Sequence, residues 1–168
     1  MNRIFLALKA KLHDYDKLQS DFSEVIDGRW IPSENIHITI SYFGDGYNVD
    51  ELIEKLPILI EPIESLTLDS LGYFKQNKIL YAAAKSIKLE KLNTSINNFF
   101  SLEQTKSFIP HATLMRVKSI KNDRLFREIL SSYENRNLGI LDTKFELMSS
   151  HIQHPGGAKY ECIKRFEL

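Results

Sequence analysis

Two tetrads, His37-Ile38-Thr39-Ile40 and His111-Ala112-Thr113-Leu114, repeat one polar-apolar-polar-apolar pattern in β-prone runs. On a strand, alternate residues face opposite ways, so each His and Thr share one face while the apolar residues take the other. A single copy constrains little, because a His followed two positions later by Thr is usually a half-exposed pair with no chemistry. Here the framework repeats as well: IFLALK (4–9) leads through a polar, helix-like segment to WIPSENIHITI, and LYAAAK (80–85) leads through another to SFIPHATL. A chain built this way is expected to form two related lobes, each contributing one motif strand to a shared cleft.

The stretches between the tetrads support a strand-rich chain with a few helices. Leu18, Phe22, Val25 and Ile26 predict a helix over His13 to Ile26, ended by Asp27-Gly28, with Arg29 to Pro32 as a loop into the first motif strand. Asp50 is read as the cap of a short helix from Glu51 to Lys55. Strands are expected at Ser65–Asp69 and Lys78–Lys85, helices at Leu89–Phe100 and Asp123–Tyr133. Strands follow at Gly139–Asp142, Lys144–Ser149 and Lys159–Phe166, with a flexible turn at His154–Gly157. This order lacks regular strand-helix alternation, so the expected class is α+β: a bilobal, single domain over 1–168, with two mainly antiparallel sheets, outer helices and a central cleft related by pseudo-two-fold duplication.

Composition narrows the partners. The 168 residues carry 22 basic and 22 acidic side chains, which argues against electrostatic wrapping of a long nucleic acid but leaves room for one phosphate or one RNA end. A single cysteine, Cys162, excludes an internal disulfide and a cysteine-rich zinc site. The N-terminal apolar run is too short for a membrane span and lacks a small-residue cleavage pattern. A cytoplasmic monomer with no membrane partner is therefore expected.

Paired imidazoles suit proton transfer, since their ordinary pKa of about 6.5 keeps both forms accessible near neutrality. Thr39 and Thr113 cannot act as bases, but their hydroxyls can donate to non-bridging phosphoryl oxygens. No GxSxG elbow, Walker A loop or HExxH is present. A metal reading would need His37 and His111 with His151 or His154, a weak set. The expectation is chemistry without metal or cofactor.

With those residues in view, the chain resembles the RNA 2′,3′-cyclic phosphodiesterase (2′-5′ RNA ligase) family of the 2H phosphoesterase superfamily. The resemblance runs through RIFLAL, the tryptophan loop before His37, Phe43-Gly44, Phe108-Ile109-Pro110, Arg116 and the closing PGGAKY (155–160). It implies hydrolysis of an RNA or nucleotide 2′,3′-cyclic phosphate to a 2′-phosphomonoester. His37 resembles the general acid for the departing 3′ oxygen, and His111 the base that activates water. Thr39 and Thr113 correspond to phosphate-oxygen ligands, and Arg116 to a cation just past the second motif. Arg116 would lie opposite His111 on a regular strand, so its participation requires a bulge or a strand end. Ser41 stands where family members often carry a basic residue. Phe43 is the aromatic most expected to stack on a base. A non-catalytic RNA-end binder, and reversible 2′-5′ ligation, are the alternatives.

Overall fold

In the computed structural model, which describes residues 2–104, 106–153 and 157–168, the first strand β1 (Arg3–Leu12) runs through the middle of the molecule. Its apolar run explains that place: Ile4, Leu6 and Leu8 enter the main core, while Phe5 and Ala7 meet Met148 in a second, smaller cluster on the other face. Fully burying each large apolar side chain contributes about 1.5–3 kcal/mol, so a strand covered on both sides is anchored more firmly than one with a wet face.

Helix α1 (Tyr15–Phe22) is shorter than its periodicity suggests, because the next apolar residues are drawn into a strand, β2 (Ile26–Trp30). Where a loop was expected, Asp27 to Trp30 instead pair with the outer half of a later strand, and this ladder outweighs the local turn signal of Asp27-Gly28. The first motif strand is β3 (His37–Gly44). Helix α2 (Val49–Leu59) is longer than expected and is capped by Asn48, whose side chain accepts the amide hydrogens of Asp50 and Glu51; Asp50 lies inside the helix. After β4 (Thr67–Leu68), β5 (Ser70–Phe74) and β6 (Ile79–Ala83) come α3 (Ile87–Phe99), the second motif strand β7 (His111–Ile120) and α4 (Asp123–Ser132). The two short strands expected after it are one, β8 (Gly139–Gln153), which pairs with β9 (Gly157–Arg165). The turn expected at His154–Gly157 lies, but for Gly157, outside the described residues.

Among the described residues the architecture is α+β: four α-helices on a large antiparallel sheet of order β4-β8-β1-β3-β7-β6-β5, with β2 beside β7 and β9 beside β8. The two expected sheets are joined, but narrowly. Between β3 and β7 the ladder consists of one pair, Ile38↔Ala112, so the two halves meet at the motifs themselves and diverge on either side.

The helices are exchanged between those halves. From the first repeat, α1 reaches over to the second: the Tyr15 hydroxyl, which donates to the Ile31 carbonyl at 2.8 Å, also lies 3.1 Å from the Leu114 carbonyl on β7, and Phe22 packs against Phe126 of α4. In return, α3 lies on β3, where Asn93 Nδ2 donates to the Ile40 carbonyl at 2.7 Å.

Candidate active site

Two β-bulges decide which side chains reach the cleft. Along β1 and β3 the register jumps between Leu6↔Ser41 and Ala7↔Thr39, leaving Ile40 as the extra residue. Along β6 and β7 it jumps between Leu80↔Met115 and Tyr81↔Thr113, leaving Leu114. Both bulges therefore fall one residue after the Thr of a motif. An extra residue reverses the alternation beyond it, and the burial pattern records the reversal: Ile40 and Ser41 are both buried, as are Leu114 and Met115.

The consequence is symmetric. Tyr42 turns to the face of His37 and Thr39, and Arg116 to the face of His111 and Thr113; all six line one cavity of about 190 Å³. The bulge that Arg116 required is present. The bulge carbonyls find partners in different ways: Asn93 Nδ2 of α3 donates to the Ile40 carbonyl at 2.7 Å, whereas the Leu114 carbonyl accepts the backbone N–H of Ile31 at 2.7 Å, with the Tyr15 hydroxyl 3.1 Å away.

The same reversal corrects two expectations. Phe43 is 5% exposed, packed edge-on against Tyr47 and Phe100, and so offers no face to a nucleobase. Its neighbour Tyr42, 52% exposed, occupies the position that had been expected of Phe43. Ser41 turns away from the cavity and donates to Asn97 Oδ1 at 3.2 Å, so a cation there would be buried rather than held against phosphate.

Each imidazole is oriented alike. His37 Nδ1 lies 2.7 Å from the Asn35 carbonyl, and His111 Nδ1 lies 2.7 Å from the Ile109 carbonyl. A carbonyl only accepts, so in both rings Nδ1 carries the hydrogen and Nε2 is left as the nitrogen that can exchange a proton with a ligand. The His37 ring stacks on Phe5 at 5.1 Å and meets the edge of Tyr160 at 5.2 Å; His111 sits between Phe74 at 4.9 Å and Tyr81 at 5.5 Å. These aromatic walls hold the rings. Arg3, Phe5, Ile31, Asn35, Ser150 and Tyr160 complete the cavity. Of these, Phe5 and Tyr160 carried no signal of their own beyond lying in the runs RIFLAL and PGGAKY, because their part depends on which strands become neighbours.

Burial depresses both imidazole pKa values below the ordinary 6.5. At His37 the Asn35 hydrogen bond opposes that shift, while the charges of His111 and Lys9 add to it; at His111 the Ile109 hydrogen bond opposes it. The protein's own groups thus favour two neutral rings at pH 7, and a bound phosphate anion would restore a proton to one of them.

If one ring must be protonated and the other neutral, kcat/KM should peak on the acid side of 6.5 and fall above it, whereas kcat, reporting the anion-bound site, should hold to higher pH. The same depression makes folding stability complete above pH 6.5 and progressively lost as pH falls towards the folded-state values. Thermal melts from pH 5 to 8 with and without phosphate check this: acid destabilisation that phosphate does not reduce would contradict it.

Among the described residues, no group of three or more His, Cys, Asp or Glu is placed to hold a metal ion. His151 faces Glu161 at 4.0 Å on the β8–β9 ladder, and His154 lies outside the described residues. Among the described residues, no helix is long and apolar enough to cross a membrane.

A second, open groove of about 690 Å³ adjoins the cavity and shares Thr39, Tyr42 and His111 with it. Phe74, Tyr73 and Phe108 form apolar walls there, with Asn93 and Asn97 at its floor. Trp30, just before the first motif strand, packs against Tyr15 and Phe22.

The chain matches the family model described as the AKAP7 2′5′ RNA ligase-like domain over residues 4–168. It is 25% identical to an RNA 2′,3′-cyclic phosphodiesterase of Methanocaldococcus jannaschii, covering 98% of this chain and 99% of that protein. It is also 25% identical to one of Aquifex aeolicus, covering 91% and 88%. Among solved structures, E. coli LigT complexed with 3′-AMP superposes with a TM-score of 0.72 at 19% identity over 98% of this chain and 97% of that one. The TT0787 protein of Thermus thermophilus does so at 0.67 and 20% identity, over 98% and 96%.

Proposed function

The chain belongs to the AKAP7 2′5′ RNA ligase-like domain family of 2H phosphoesterases, and on that premise we propose that it hydrolyses the 2′,3′-cyclic phosphate end of RNA or of a nucleotide to a 2′-phosphomonoester. The observation that carries this reading is the pair of imidazoles fixed with Nδ1 on backbone carbonyls, sharing one phosphate-sized cavity with Thr39, Thr113 and Arg116. Its relatives named RNA 2′,3′-cyclic phosphodiesterase support the same substrate class.

In the proposed reaction, neutral His111 takes a proton from water through Nε2 as the water oxygen bonds to phosphorus. The bond from phosphorus to the 3′ oxygen breaks, and that oxygen receives the proton carried by His37 Nε2. The acid and base assignment follows the order of the motifs in the family that the chain resembles. Thr39 and Thr113 donate to the non-bridging oxygens, where charge grows in the transition state, and Arg116 neutralises that charge with its forked donors. No step calls on a metal. Ligation would use the same two roles with the 5′-hydroxyl of a second RNA in place of water, and its reversal exchanges acid and base.

Incubation of a short RNA ending in a 2′,3′-cyclic phosphate, in the presence of chelator, is expected to give a 2′-phosphate terminus. A 3′-phosphate product, or loss of turnover on chelation, overturns the mechanism. Tight binding of that end with no product after prolonged incubation would instead favour a non-catalytic RNA-end binder.

A further inference from the structure

Arginines elsewhere in the chain have partners. Arg124, Arg127 and Arg165 meet carboxylates, and Arg136 lies over the Tyr133 ring. Among the described residues, Arg3, Arg29 and Arg116 form no ion pair, and all three are at or beside the cleft.

Arg29 and Arg116 are direct partners in the β2–β7 ladder. Directly opposed residues project from the same face, and Arg116 lines the histidine cavity, so Arg29 flanks that cavity one strand away. Like charges placed directly opposite one another are destabilising, and this pair stands without a carboxylate between.

Arg29 is exposed, and two glycines lie against it. A Cβ on Gly28 would stand 2.3 Å from the Arg116 carbonyl oxygen, so the absence of a side chain lets β2 lie close against β7. At Gly157, with φ +85°, a Cβ would stand 2.7 Å from Arg29 Nη1, so the guanidinium rests on bare backbone where β9 begins.

We propose that Arg29, with Arg116 shared between the two positions, forms a second anion subsite that takes the 5′-phosphate of the nucleotide whose cyclic phosphate lies between His37 and His111. This rests on the cyclic phosphodiesterase reading and extends it. The spacing suits the ligand: adjacent strands lie about 4.8 Å apart, and a ribose ring and one methylene separate the two phosphates. Arg3, which lines the histidine cavity, adds to the positive field. The enzyme thereby selects an internal-type nucleotide, one that carries a phosphate or phosphodiester on its 5′ side, over a free nucleoside cyclic phosphate.

Calorimetric titration of adenosine 2′-monophosphate and adenosine 2′,5′-bisphosphate tests the subsite without requiring turnover. The wild-type protein is expected to bind the bisphosphate at least about ten-fold more tightly, as one charge-assisted contact allows. Arg29→Ala should bring the ratio to near one, Arg29→Lys should keep part of it, and added salt should shrink it. Because Arg29→Ala relieves a like-charge contact, its melting temperature should be no lower than that of the wild type. Equal binding of the two ligands by the wild type, or a ratio that survives in Arg29→Ala, overturns the proposal, as does a lowered melting temperature with an unchanged ratio. Parallel assays use adenosine 2′,3′-cyclic phosphate with and without a 5′-phosphate. If neither is hydrolysed while the bisphosphate preference holds, the catalytic reading falls and the anion subsite stands.

Discussion

Alanine at His37 or at His111 is expected to slow hydrolysis of a 2′,3′-cyclic phosphate by roughly 100-fold to 10,000-fold, the range for removing one general acid or base. The double variant should lose less than the product of the single losses, because the two rings serve opposite ends of one displacement and each is of little use without the other. The fold should survive. Each ring is held by one backbone carbonyl and two aromatic neighbours at the margin of the cleft, so its removal opens space towards solvent rather than a sealed cavity. An aromatic contact of this kind is worth about 0.5–1.5 kcal/mol. Single-turnover rates alongside thermal melts separate the two effects. A variant that melts much lower yet keeps activity within a few-fold of the wild type would make the histidines structural and remove the catalytic case.

Valine at Thr39 or Thr113 is expected to cost about 100-fold to 1,000-fold, mainly in kcat. Valine matches threonine in shape but replaces the hydroxyl by a methyl, so the donor is lost while the volume is kept. Charge on the non-bridging oxygens grows as the attacking and leaving oxygens share phosphorus, so a donor aimed at them contributes more to the transition state than to the ground state. Serine at the same position retains the hydroxyl and should recover most of the rate. Equal falls in kcat/KM for Thr→Val and Thr→Ser, or a change confined to KM, would show that the threonines only shape the cavity. Both residues are half-buried on the cavity wall, which leaves them accessible to a phosphate and limits any effect on stability.

What was legible in the sequence follows from local periodicity and from repetition. The HxT tetrads, the preceding IFLALK and LYAAAK strands and the presence of α3 and α4 are statements about a residue and its near neighbours, and they survive folding because burial acts on the same alternation, although Phe99 and Leu125 stay exposed. Duplication predicted one cleft because two similar halves can bury their apolar faces against each other with both motif strands at the seam. The pairing Ile38↔Ala112 is that seam.

What only the tertiary structure decided lies one residue beyond each motif. No local preference marks Ile40 or Leu114 as the extra residue of a bulge; that depends on the register chosen by β1 and β6, on Asn93 arriving from the opposite repeat to meet the Ile40 carbonyl, and on the Ile31 amide meeting that of Leu114. The bulges turn Tyr42 and Arg116 into the site and send Phe43 and Ser41 into the interior, reversing what unbroken alternation predicts. Strand β2 is decided in the same way, since Asp27-Gly28 reads as a turn until the free edge of β7 supplies hydrogen-bond partners. The sequence alone therefore determined which residue types the cleft gathers, through their repetition at fixed spacing. Long-range pairing determined which side chains stand beside that chemistry, because a strand's facing is a property of its ladder and not of the strand by itself.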